Sequence, residues 1–295
     1  IYPLIYKTIC CQMNHQKGWI MFKKFLLFYI AVFGVSTVHA FTPTVNVGET
    51  VDGETVADET NPVVQDVYGT TVNGKIGTNG TQNVHVDGVS RATTIGVDGI
   101  QNVSGTAENT HIVGGTQNLK AGSKILGSKN IIDKDGQQLI ESGADIGDQT
   151  NFVTINGENA TQYVYGTSNF TRIYKGEQSV ESGAFAFDTY IAGGEQNVFG
   201  TIGGSTTISG SGVQNLVAGS NIRISEENDK ITINGGTQNV NIDIDAATAE
   251  KIIMNYGEQN IQAVASISGM KIAGMNGLNG IMNVFGTAEN TAIKS

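Results

Sequence analysis

The chain has 295 residues, with 39 glycines, only 3 prolines and 15% charged residues. Length alone suggests two globular domains, yet no long run of Ala, Leu, Glu and Lys supports helices, and the glycines lack the three-residue period of collagen. Beyond residue 40, 13 Lys and Arg stand against 27 Asp and Glu, a net charge of −14 that argues against nucleic acid and anionic membranes as partners.

Residues 1–20 do not begin with Met and read as upstream sequence or an extended signal; a start at Met13 would lengthen that signal. Residues 21–40 read as a secretory signal peptide. Lys23 and Lys24 form its basic part, Phe25 to Val35 its apolar part, and Val38-His39-Ala40 its cleavage site, so the mature chain is expected to begin at Phe41. The apolar run is short for a bilayer span. Cys10, Cys11 and the single tryptophan, Trp19, all precede that point, so the exported part must be held by its core and hydrogen bonds without disulfides. Residues 41–62 read as an N-terminal cap or lead-in, and residues 63–295 as one repeat region. Proline is absent after Pro62, which suits continuous sheet, because proline cannot donate to a ladder.

Within that region a Gln recurs at 65, 82, 101, 117, 138, 162, 178, 196, 214, 238 and 259, with Met282 in the next place. The mean period from 82 to 282 is 20 residues, with single steps of 16 to 24. Two residues after each anchor stands an aliphatic residue, such as Val84, Leu119, Val198 or Ile261. Two residues before it stands Gly in ten of the twelve units, and another Gly follows four to six residues after it in ten. A second short strand is marked by Ile95, Ile112, Ile125, Ile173, Ile191 and Ile208. Each unit therefore reads as strand, Gly corner, strand, Gly corner. One such coil cannot bury its apolar side alone, so the coils must stack. The expected fold is all-β: a right-handed parallel β-helix, or solenoid, of about twelve coils, roughly 55 Å long at about 4.8 Å per coil. Stacked amides are expected to form structural ladders through Gln82, Asn83, Gln101, Asn102, Gln117, Asn118, Gln196, Asn197, Gln214, Asn215, Gln238, Asn239, Gln259 and Asn260. The only stretch open to helix is Ala246 to Met254, as a single turn.

The recurring Gly-x-Gln-Asn-Val unit, as in Gly80-Thr81-Gln82-Asn83-Val84 and Gly194-Glu195-Gln196-Asn197-Val198, resembles the passenger repeats of AIDA-like self-associating autotransporter adhesins. The resemblance covers residues 63–295. It implies a bacterial outer-membrane adhesin that is exported through the Sec route and displayed by a C-terminal translocator barrel. Its partners would then be other copies of itself on neighbouring cells, or host surface molecules. The lack of cysteine suits threading through a narrow pore. No barrel-like strands with aromatic girdles occur in this chain, and Gly286-Thr287-Ala288-Glu289-Asn290-Thr291 repeats residues 105–110, where the coil continues; the sequence is therefore expected to continue beyond Ser295.

An enzyme on the same scaffold would need convergent carboxylates or a carboxylate with a basic partner. Asp243 and Asp245 alternate with isoleucines and are expected on the solvated outer face of a strand, whereas Glu226, Glu227 and Asp229 fall in a loop-like insertion. His85 and His111 occupy non-equivalent corners, and neither a Ser-His-Asp set, a calcium nonapeptide nor a phosphate loop is present. No catalytic, metal or cofactor site is expected, and no ligand contact can be named. Longer coils at 139–161, 217–237 and 260–281 are the places where binding loops would lie. The expected function is a surface adhesin stalk mediating cell–cell aggregation or surface attachment, with a purely structural spacer for an adhesive or catalytic domain as the alternative. The full-length protein is expected at the cell surface, and this stretch alone in the periplasm.

Overall fold

The structure, a computed structural model, describes residues 41–273 and 279–294. The expected signal peptide and Ala40 lie outside the described residues, which begin at Phe41. From there the chain winds as a parallel β-solenoid. Every pairing between strands is parallel and joins a strand to its equivalent one repeat away, with Gln101 beside Gln82 on one side and Gln117 on the other.

Every described rung but that of Gln238 carries three strands, not the two that the repeat suggested. The Gln117 rung shows the pattern: Thr116–Leu119 on the first face, Lys124–Leu126 on the second and Asn130–Asp133 on the third. Of the isoleucines that marked a second strand, Ile125 lies on the second face, whereas Ile95, Ile112, Ile173, Ile191 and Ile208 line the third. The second face escaped notice because its inward positions are small or polar in half the rungs. Thr71, Ser90, Ala107, Ser168 and Ala186 are all buried there, so hydrophobic periodicity does not mark that strand. Residues 41–62 contain a further rung of the same kind. Its strands Thr44–Val45, Thr50–Asp52 and Thr55–Val56 pair with the three strands of the Gln65 rung.

Stacking makes the core. Val67, Val84, Val103, Leu119, Ile140 and their successors form one buried inward column, and Ile76, Ile95, Ile112, Ile132 and Ile155 another. Removing each such side chain from water contributes roughly 1.5–3 kcal/mol. The effect of a neighbouring rung is direct: Val240 is 0% exposed, but Val284, in the last described rung, is 43% exposed. Where Ile231–Val240 and Ile252–Ile261 run unbroken from the third face into the first, the two ladders join into one 24-stranded sheet.

The Gln238 rung departs most from the pattern. Residues 241–245 make only an isolated bridge from Ile244 to Ile267, and one helical turn, Ala246–Ala249, stands in the second-face region. Asp243 and Asp245 are exposed beside buried Ile244 as expected, but no strand carries them. Asp243 accepts hydrogen bonds from the Ser266 backbone N–H and Oγ, and Asp245 is the N-cap of the helix, accepting from Thr248 N–H at 2.7 Å.

Candidate interaction surface

Adjacent residues of a strand point to opposite sides, so the Gln-Asn pair divides between the two sides of the wall. Every anchor Gln points inward beside the Val column and is buried. Their amides form one chain of fixed polarity. The Nε2 of Gln82 donates to Oε1 of Gln65 at 2.7 Å, and the pattern continues through Gln101, Gln117, Gln138, Gln162, Gln178, Gln196, Gln214 and Gln238 to Gln259. At its donor end Gln65 gives its Nε2 hydrogens to the Thr42 carbonyl and to the Glu54 carboxylate, the latter at 2.8 Å. At its acceptor end Met282 supplies no donor, and Gln259 Oε1 is buried without a partner. The small polar residues of the other faces serve this seam. Gln101 Nε2 also donates to Ser90 Oγ at 2.9 Å, and Gln196 Nε2 to Thr189 Oγ1 at 3.3 Å.

The asparagines face outward and form two shorter ladders. One runs from Asp66 through Asn83 and Asn102 to Asn118. The other runs from Asn197 through Asn215, Asn239 and Asn260 to Asn283. Leu139, Tyr163 and Ser179 occupy the row between them. Where the first ladder begins, His85 Nε2 lies 2.9 Å from Asp66 Oδ1, and the His85 ring stacks on Tyr68 at 4.1 Å. Hydrogen bonds from His85 and Asn83 hold the Asp66 carboxyl below the usual range.

The corner between the second and third faces has one backbone requirement in almost every rung, a left-handed residue. Gly53, Asn73, Ala92, Asn109, Gly127, Gly147, Phe170, Asp188, Gly204, Gly269 and Asn290 all have positive φ there. Gly, Asn and Asp suit that conformation, but Phe170, at φ 55°, does not. Such strain is held in place by its surroundings, and around Phe170 those surroundings form a groove.

This groove has a volume of ≈ 450 Å³ and is lined by Gln149, Phe152, Phe170, Arg172, Tyr174, Asp188 and Tyr190. It crosses three successive rungs. The long coil 139–161 supplies its wall, through the loop between strands Asp145–Ile146 and Val153–Ile155. Asp148 braces that loop by accepting from the backbone N–H groups of Thr150 and Asn151, from Thr150 Oγ1 and from Asn151 Nδ2. Those bonds, led by Asn151, hold the Asp148 carboxyl well below its ordinary range. Asn151 Oδ1 in turn accepts from Gly127 N–H at 2.7 Å, tying the loop to the rung before it. On the groove floor the Arg172 guanidinium lies 3.9 Å from the Phe152 ring centre, and Tyr174 and Tyr190 meet edge to face at 6.1 Å.

The other long coils behave differently. Residues 217–237 extend an exposed loop in which Glu226 N–H donates to Asp229, and the coil 260–281 includes residues outside those described. A broader depression of ≈ 530 Å³ lies between the projecting tips near Val217 and Val264. None of the groove residues stood out in the sequence. Only the length of coil 139–161 pointed to the place.

No family model and no curated protein matches the chain. Among solved structures it is similar to the TibC-catalysed hyper-glycosylated TibA 55–350 fragment, with a TM-score of 0.58 and 21% sequence identity over 85% of this chain and 95% of that one. Likeness at that identity establishes a shared solenoid fold.

Proposed function

We propose that this chain is the solenoid passenger of an autotransporter-type surface adhesin, a non-catalytic stalk whose long outer flank mediates attachment between cells or to surfaces. The observation that carries the reading is the parallel solenoid itself, whose first face turns two ordered rows of amides outward. The Gly-x-Gln-Asn-Val repeat and the fold shared with the TibA fragment support it. Its partners are then further copies of the same protein or molecules of a host surface. The signal read at residues 21–40 and a translocator barrel take the full-length protein to the cell surface.

Charge supplies a test. An excess of acidic residues, net −14 after residue 40, opposes side-by-side docking when screening is weak. The screening length is about 30 Å at 0.01 M salt and about 8 Å at 0.15 M. Clumping of cells that display the full-length protein should therefore strengthen as salt rises from very low values, and should vanish when residues 63–295 are deleted. Clumping that persists without those residues would instead indicate a spacer whose adhesive part lies elsewhere.

A further inference from the structure

We infer that the groove walled by residues 147–152 is a binding site for a neutral oligosaccharide. Its floor consists of aromatic rings from successive rungs: Phe152, Phe170, Tyr174 and Tyr190. Tyr174 and Tyr190 remain 42% and 38% exposed, although each has an aromatic neighbour. Exposed aromatic faces next to planar polar groups suit a ligand that is apolar on one side and hydrogen-bonding around its edge. A pyranose ring has that form: its C–H face stacks on a ring, and its hydroxyls point outward in the plane. Gln149, Arg172 and Asp188 surround the rings, and each can bond two neighbouring hydroxyls through an amide, a guanidinium or a carboxylate. Asp188 Oδ1 accepts from Ser205 N–H at 2.7 Å, which fixes the orientation of the carboxylate.

Charge and backbone chemistry narrow the ligand class. One cation and one carboxylate line the groove, so its own charge is balanced, and the acidic chain around it disfavours anionic sugars. A peptide added as an extra strand is excluded at the floor. Arg172 and Ile173 pair with the Val153–Ile155 strand on one side and the Tyr190–Ile191 strand on the other, so the backbone there has no free edge. The site is also built in advance. Asp148 holds the loop, the Phe152 ring packs beneath Arg172, and Ser209 Oγ donates to the Tyr190 hydroxyl at 3.2 Å. Pre-ordering of this kind lowers the cost of binding. The inference goes beyond the adhesive reading, since a stalk that attaches nothing could still carry the groove.

The test uses purified protein, free of cells, with cellohexaose, chitohexaose and maltohexaose as probes in saturation-transfer NMR and titration calorimetry. At least one of these neutral sugars should receive saturation. Tyr190→Ala and Arg172→Ala should each weaken its binding at least tenfold, while Phe199→Ala, an exposed aromatic on another corner, should leave it unchanged. Circular dichroism and melting curves verify that the variants fold; if Arg172→Ala does not, Arg172→Lys keeps the charge, loses the planar fork and should still weaken binding. Saturation of none of the three sugars overturns the inference. So does equal binding by folded groove variants, or saturation of an apolar tyrosine-containing peptide in place of the sugars.

Discussion

Removing a buried glutamine from within the seam is costly, because each amide between its two ends serves two others. Gln196 donates to Gln178 and accepts from Gln214. Gln196→Leu should strand both partners at roughly 1–3 kcal/mol each, a loss measurable in denaturant melts. Met282→Gln should act in the opposite direction, giving the orphaned Gln259 Oε1 a donor and about 1 kcal/mol of stability. At the left-handed corner, Ala92 has φ 50° and is exposed, where its equivalents are Asn73 and Asn109. Ala92→Asn should raise stability by about 1 kcal/mol, the ordinary cost of that conformation for a residue with a Cβ but no local hydrogen bond. Asp66 carries a pH signature. Its carboxyl is held low, chiefly by the hydrogen bond with His85, so the stability it contributes is present above the unfolded value of about 3.9 and is lost as pH falls through the lower folded value. The stability difference between wild type and Asp66→Asn should therefore be largest near neutrality and shrink in acid melts.

Within a strand, side and depth decide sensitivity. Val198 is fully buried between Val180 and Leu216 on its column, so Val198→Asp places an unpaired carboxylate among aliphatic side chains and should cost several kcal/mol. Lys175 sits on an exposed corner, 3.7 Å from the still more exposed Glu158, and Lys175→Ala should change stability by less than about 0.5 kcal/mol. Equal losses in the two denaturant melts would mean that the inward register is misassigned. The corners explain why the repeat length varies. At Gly105 the turn is short, and a Cβ there would collide with the carbonyl oxygens of His85 and Gly88 in the longer turn one rung back. Longer turns follow Val45, Val84 and Leu119, and short ones follow Val67 and Val103, so the first rungs alternate between the two lengths.

A solenoid is close to one-dimensional, with each rung stabilised mainly by the two beside it. Amide hydrogen exchange should accordingly be slowest in the central strands, such as Glu177–Val180 and Glu195–Val198, whose rungs are covered on both sides. In a protein ending at Ser295 it should be fastest in Gly280–Val284 and the strands that follow, where Ile281, Val284 and Phe285 are 54%, 43% and 69% exposed. Uniform exchange along the whole solenoid would mean that it opens as a single cooperative unit. Far-UV circular dichroism should be nearly all β, since one turn at Ala246–Ala249 is the only α-helix among the described residues.

The parallel solenoid, its period and its inward aliphatic columns were legible in the spacing of Gln and Val, because stacking places every repeat in the same environment and selects the same residue there. The amide ladders were legible for the same reason, but their sides were not drawn from the pattern. That Gln lies inside and Asn outside follows from strand alternation once the Val column is known to face the core. The second-face strand was hidden, because its inward positions, such as Ser90, Ala107 and Ser168, are small or polar and sit beside the buried glutamine seam. Asp243 and Asp245 lie on the solvated side as expected, but their alternation with isoleucine only imitates a strand, and contacts to Ser266 and Thr248 decide their conformation. The groove was invisible for a more general reason. Phe152, Arg172 and Tyr190 belong to three different repeats and share no motif, and only the stacking of rungs brings them to one place.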